Sequence, residues 1–146
     1  MTVLSVERIR LGATAVDKLD AIRQAGELLV SSGCVKAGYV DGMLAREETM
    51  STYLGNGVAI PHGAYDNKGQ ILQTGISVLQ LPQGVEWEDG EKAYLIIGIA
   101  ASSDEHVGVL SSLAEVIEDE DTTQLLINTT NPQVILTHLS AEAVEG

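Results

Sequence analysis

Phenylalanine is absent from this 146-residue chain, and tryptophan and cysteine occur once each. Without large aromatics the core must be built from Leu, Ile, Val and Ala, a supply suited to helices packed on a sheet. The single Cys34 excludes an intrachain disulfide framework. Basic side chains are scarce too, 8 against 21 acidic ones, for a formal charge of −13. A field of that sign repels nucleic-acid phosphates and anionic membrane surfaces, so neither is an expected partner. A phosphate group held by this chain therefore needs local donors that overcome the average field. No basic leader followed by an apolar run opens the sequence, and no apolar stretch approaches the length of a membrane span. There is no internal repeat, low-complexity tract or Pro/Ser-rich linker. Together these absences predict a soluble, reduced, cytoplasmic protein folded as one domain over residues 1–146.

What is present supports a core, since 45% of the residues are apolar. Helical spacing of Leu19, Ile22, Gly26 and Leu29 predicts a first amphipathic helix over 16–32, stopped by Gly33. A second is expected over 39–48, burying Val40, Met43 and Leu44. The run from Tyr53 to Gly57 reads as a turn, Val58-Ala59-Ile60 as a short strand and Pro61-His62-Gly63 as a break. Asp66 to Gly69 signals a further turn. Longer strands are expected over 74–81 and 94–101, the second apolar on both faces as a strand between two helix layers should be. Ser102 and Glu105 then fit a capping box, and Val107, Leu110, Ala114 and Ile117 give a third helix its apolar stripe. A short helix around Leu125 and a last one opened by Asn131-Pro132 complete an α/β domain, a mixed sheet flanked by helices.

Three histidines are the first candidates for chemistry. His62 stands between Pro61, which stiffens the approach, and Gly63, which has no side chain to obstruct a reactant. A loop histidine at a sheet edge is well placed for nucleophilic catalysis; a solvated turn histidine fits the same pattern. His106 falls in the first turn of the expected third helix, where free N–H groups favour anions; a solvated first-turn residue fits as well. His138 reads as structural. Arg46, at the end of the second helix, is the best phosphate-binding candidate among the basic residues, with pairing to Glu47, Glu48 or the helix C-terminus as the alternative. The histidines lack zinc-like spacing, Cys34 has no ligand partner nearby, and no strand–GxSxG–helix element supports a serine hydrolase. Trp87 is expected to be half-buried at the sheet margin, and Cys34 to be a small buried residue without a redox role.

Arg46-Glu47 followed by TYLGNGVAIPHG (Thr52 to Gly63) resembles the signature of enzyme IIA domains of the mannitol/fructose class. These belong to the phosphoenolpyruvate-dependent sugar phosphotransferase system. LIIGIAASSDEHVGVLSSLAEVIEDE (Leu95 to Glu120) is similar to the mannitol branch, and AIRQAGELLV (Ala21 to Val30) also fits, so the likeness covers nearly the whole chain. It implies that His62 is phosphorylated by phospho-HPr and passes the group to a cysteine of a IIB domain. It implies that His106 and Arg46 neighbour His62 and hold the phosphoryl oxygens, and that a mixed sheet is flanked by helices. Neither the IIB cysteine nor a IIC membrane segment is in this chain, which points to a free-standing IIA protein or an excised domain.

Chemistry adds its own requirements. The nucleophile must be neutral imidazole, and its second nitrogen needs a partner that fixes the tautomer. Phosphoryl transfer then rests on positioning and on charge stabilisation, here by Arg46, His106 and the N–H groups of Asp104 to His106. No metal or cofactor is called for when the donor is itself a phosphohistidine. Docking of protein partners requires an apolar patch around His62, which Ala59, Ile60 and nearby aliphatics are expected to supply, with the acidic charge confined to its rim. Two other readings compete: a regulatory module whose phosphorylation state a non-transport partner reads, and a binding protein whose Pro-His-Gly loop is only structural.

Overall fold

The computed structural model describes residues 4, 6–49, 51–63, 69–88, 90–100, 111 and 113–145, with side chains through 139. Strands β1 (Ile9–Arg10), β2 (Tyr53–Gly55), β3 (Val58–Ala59), β4 (Gly75–Glu88) and β5 (Glu91–Ala100) form one sheet in the order β1-β4-β5-β3-β2. β1 runs parallel to β4 and β3 parallel to β5, while the β4–β5 and β2–β3 pairs are antiparallel, so the sheet is mixed as expected. Helices α1 (Lys18–Ser31), α2 (Gly38–Thr49), α3 (Glu120–Asn128) and α4 (Pro132–Glu145) complete it, with a further helical stretch over 113–118.

The pleat of the two long strands divides the core. Ile76, Val78, Leu95, Ile97 and Ile99 face Leu113, Ile117, Leu126, Ile135 and Leu139. Leu79, Leu81, Ala93, Ile96 and Ala100 face Ile22, Ala25 and Leu29 of α1 and Tyr39 and Met43 of α2. Alternate residues point to opposite sides of a strand, so a run apolar throughout can feed two helix layers at once. Small residues set the spacing. A Cβ at Gly98 would lie 2.6 Å from Ser77 Oγ, whose hydroxyl donates to the Ala25 carbonyl of α1 at 2.8 Å. A Cβ at Gly26 would lie 2.9 Å from Val40 Cγ2, so α1 and α2 touch at that point.

Several expectations shift in detail. α1 begins at Lys18, because the Asp17 carboxylate accepts from the Asp20 amide at 2.9 Å and caps the helix there. Leu19, assigned to its apolar face, is 40% exposed, and Leu28 is buried instead. In α2 the buried stripe is Tyr39, Met43 and Glu47, with Gly42, whereas Val40 and Leu44 are half-buried. Tyr53–Gly55 is strand, and the turn shrinks to Asn56-Gly57, both at positive φ as a two-residue hairpin of the primed type requires. β4 extends to Glu88, through register shifts that absorb Pro82. Trp87 is buried, at 3% exposure, not half-buried. At the start of α4 the Asn131 side chain accepts from the Gln133 amide at 3.0 Å, with Pro132 as the first helical residue. The Ser102–Glu105 capping box, Val107 and Leu110, and Asp66 to Lys68 of the expected turn lie outside the described residues.

Candidate active site

The parallel pair β3 and β5 delivers two chain ends to one edge of the sheet. β3 stops at Ala59, and the chain continues alongside β5 far enough for His62 to bridge Ile99 in parallel register. In open α/β sheets the crevice outside the carboxyl ends of the strands is where ligands bind. His62 is half-buried there, its flank Pro61 is buried, and β5 ends one residue past Ile99.

Backbone bonds hold the segment at each step. The Ile60 amide donates to Thr52 O at 3.0 Å, and the Ile99 amide donates to Pro61 O at 3.0 Å. The Gly63 amide donates to the Tyr39 hydroxyl at 2.9 Å, and that hydroxyl donates in turn to Ile99 O at 2.7 Å. Burial pushes the Tyr39 phenol above its ordinary range, partly offset by the Gly63 N–H, so the hydroxyl keeps its proton at neutral pH. The imidazole itself is oriented by a contact of 2.8 Å between Nδ1 and the carbonyl of Ile60. A carbonyl oxygen only accepts, so Nδ1 carries the hydrogen and the neutral ring has its lone pair on Nε2.

A second network lies at the other end of α2. The Glu47 carboxylate accepts from the Thr52 amide at 3.1 Å and from its hydroxyl, and from Trp87 Nε1 at 3.1 Å. Lys18 Nζ approaches it to 3.5 Å and stands 5.9 Å from the Trp87 ring. A carboxylate only 4% exposed is tolerable here because cation and donors surround it. Since Thr52 O holds the Ile60 amide, this network reaches the His62 segment from behind.

A strand-end histidine with a fixed tautomer fits many enzymes, and similarity over the whole chain narrows the family. The family model for the phosphoenolpyruvate-dependent sugar phosphotransferase system, EIIA 2, matches residues 2–142. The chain belongs to that enzyme IIA family. A multiphosphoryl transfer protein of Escherichia coli is 50% identical over 142 residues, 97% of this chain and 38% of that protein, so the chain spans about two-fifths of such relatives. The mannitol-specific phosphotransferase enzyme IIA component of Bacillus subtilis is 41% identical over 128 residues, 88% of this chain and 90% of that protein. Among solved structures, the enzyme IIA of the complex between Escherichia coli IIAMTL and phosphorylated IIBMTL superposes with a TM-score of 0.89 at 41% identity. The match covers 94% of this chain and 97% of that one.

Within this enzyme IIA fold, Arg46 occupies the last turn of α2, half-buried, one residue before Glu47 and seven after Tyr39. Those two neighbours tie α2 to the His62 segment, so the helix bearing Arg46 lies against it. Glu47, offered as an alternative partner for Arg46, turns inward to Thr52, Trp87 and Lys18 instead. His106 lies outside the described residues. His138 is half-buried on α4 and lines a surface cavity of about 290 Å³ with Glu115, Asp119 and Thr122, none of them on the His62 strand. Cys34 is fully buried. Ala59 and Ile60 are core residues, at 0% and 8% exposure, and so do not contribute to the expected apolar patch. Strand alternation turns Ala59 and Ile60 toward the two helix layers, one to each. Tyr39 and Glu47 were not legible as site residues, although a carboxylate four residues after Met43, on its apolar stripe, is a signal in itself. Among the described residues no helix is long and apolar enough to cross a membrane.

Proposed function

We propose that this enzyme IIA domain carries a phosphoryl group on Nε2 of His62, accepting it from phospho-HPr and handing it to a cysteine of a IIB domain. The observation that supports this most is the 2.8 Å contact of Nδ1 with Ile60 O, which puts the lone pair on Nε2 of a half-buried ring. In the forward step the P–Nε2 bond forms as the donor's P–N bond breaks, and that electron pair returns to the donor imidazole. Nδ1 keeps its proton, held on the Ile60 carbonyl throughout. Arg46 and His106 are the residues proposed to hold the equatorial oxygens, where charge stabilisation carries the rate. The family resemblance in the sequence implies this role for both.

The sugar served is mannitol or a related polyol, in keeping with the mannitol-specific relatives at 41% identity, and the setting is the cytoplasm. Incubation with phosphoenolpyruvate, enzyme I and HPr tests the reading, followed by intact-mass measurement. A gain of one phosphate is expected, lost in His62→Ala and discharged on adding a IIB domain. Labelling that survives in His62→Ala refutes the assignment. Labelling that no IIB domain removes favours a regulatory module.

A further inference from the structure

Tyr39 is not needed to bury area at the site, since a phenylalanine ring would fill the same space; its hydroxyl has the specific role. In a parallel bridge between His62 and Ile99, the Ile99 amide pairs with the residue before His62 and the Ile99 carbonyl with the residue after it. The first of these bonds is made directly, at 3.0 Å to Pro61 O. The second is made through Tyr39, which accepts from the Gly63 amide at 2.9 Å and donates to Ile99 O at 2.7 Å. The residues before and after His62 are thus both fixed to Ile99, one by the backbone and one by a side chain from another layer. The ring lies so close to Gly63 that a Cβ there would sit 2.6 Å from Tyr39 Cε1, so no larger residue at 63 leaves the arrangement unchanged.

We propose that Tyr39 is a positioning residue for the phosphoryl-transfer step. By pinning Gly63 to Ile99, its hydroxyl holds the His62 backbone in the conformation that keeps Nδ1 on the Ile60 carbonyl and Nε2 facing the incoming phosphorus. The His62–Ile60 contact spans two residues, so its geometry depends on the torsions at Pro61 and His62. Proline limits the first, while the second is free to turn unless Gly63 is held. With the hydroxyl removed, the last rung opens, the imidazole samples both tautomers, and the lone pair is on Nε2 only part of the time. The inference rests on the reading of His62 as the phosphoryl carrier, but its structural half is measurable without any transfer.

The test compares Tyr39→Phe with Tyr53→Phe. Tyr53 makes a matched control because its hydroxyl also accepts from a glycine amide, that of Gly57 at 3.1 Å, and donates to a strand carbonyl, Lys92 O at 3.4 Å. Both variants and the wild type are checked for folding by thermal unfolding. Each then gives two readouts: the rate of His62 phosphorylation against phospho-HPr concentration, and the ¹⁵N shifts of the His62 ring in the unphosphorylated protein. Tyr39→Phe is expected to lower the rate at saturating phospho-HPr by about tenfold, with the half-saturating concentration unchanged, and to move the ring shifts toward the average of two tautomers. Tyr53→Phe is expected to match the wild type in both. Wild-type rate and wild-type ring shifts in Tyr39→Phe overturn the proposal, as does an equal loss in the two variants. Should Tyr39→Phe fail to fold, Gly63→Ala, which pushes the ring away from the same rung, must show the slowed rate and the altered shifts; a wild-type Gly63→Ala overturns the proposal. Absence of labelling in the wild type, or labelling in His62→Ala, strikes at the carrier reading instead, and the ring shifts then still decide whether Tyr39 sets the tautomer.

Discussion

Tyr39 and Ile99 stand sixty residues apart in sequence and share a hydrogen bond of 2.7 Å, the hydroxyl of a helix residue closing on the carbonyl of the central strand. Because Ile99 also bridges His62, this bond couples helix α2 to the histidine. The same helix carries Arg46 in its last turn and Glu47 beside it.

Arg46→Ala is expected to slow phosphorylation of His62 about tenfold, a loss of ~1.4 kcal/mol of transition-state stabilisation, with thermal stability little changed. Arg46→Lys should recover only part of the rate, because a point charge does not reproduce a planar fork on two phosphoryl oxygens. Stopped-time intact-mass measurement reads both. Full activity in Arg46→Ala would remove the residue from the mechanism.

Glu47→Ala should destabilise the fold by roughly 3 kcal/mol in urea unfolding, since it leaves the Thr52 and Trp87 donors buried without an acceptor. Lys18→Ala should cost less than about 1 kcal/mol, because the lysine is partly solvated and its contribution is screened. Equal effects of the two substitutions would show that the ion pair, and not the set of hydrogen bonds to Thr52 and Trp87, is what Glu47 provides.

Gly98→Ala places a Cβ 2.6 Å from Ser77 Oγ and 3.4 Å from the Ala25 carbonyl. The Ser77 hydroxyl must give up its bond to Ala25 or α1 must lift from the sheet. A loss of about 1–3 kcal/mol is expected, the usual range for overpacking a core. Ser77→Ala combined with Gly98→Ala should regain part of it, and a double variant as unstable as the sum of the singles would contradict this account of the contact.

Alkaline pH should weaken the protein through Tyr39. The folded state holds this phenolic proton above the ordinary pKa of 10.0, because burial disfavours phenolate. As pH rises past 10 the unfolded chain releases the proton first, binds fewer protons than the native state, and stability falls until the folded group titrates as well. Below that range the contribution is fully present. Urea midpoints at pH 9 and pH 11 should therefore diverge more in the wild type than in Tyr39→Phe; parallel losses in the two would exclude Tyr39 as the source.

The layered architecture was legible because its cause is periodic. Apolar residues on both faces of the run from Tyr94 demanded two helix layers, and the spacing of Ile22, Gly26 and Leu29 provided one of the helices. Element ends were less legible. Capping by Asp17 and the opening of the hairpin at Asn56 turn on single hydrogen bonds and φ values that hydrophobic period does not encode. Burial of Trp87 depended on a partner, Glu47, forty residues away.

The sequence by itself determined the composition of the core, the mixed α/β class, and a break in the chain at Pro61-His62-Gly63, because these follow from local pattern and residue chemistry. Only the tertiary structure decided which imidazole nitrogen bears the lone pair, which side chain closes the last rung beside His62, and that Ala59 and Ile60 turn inward. Those outcomes depend on pairings between residues far apart in the chain, and the energy of such a pairing is set when strands and helices meet, not by the residues on either side of each member.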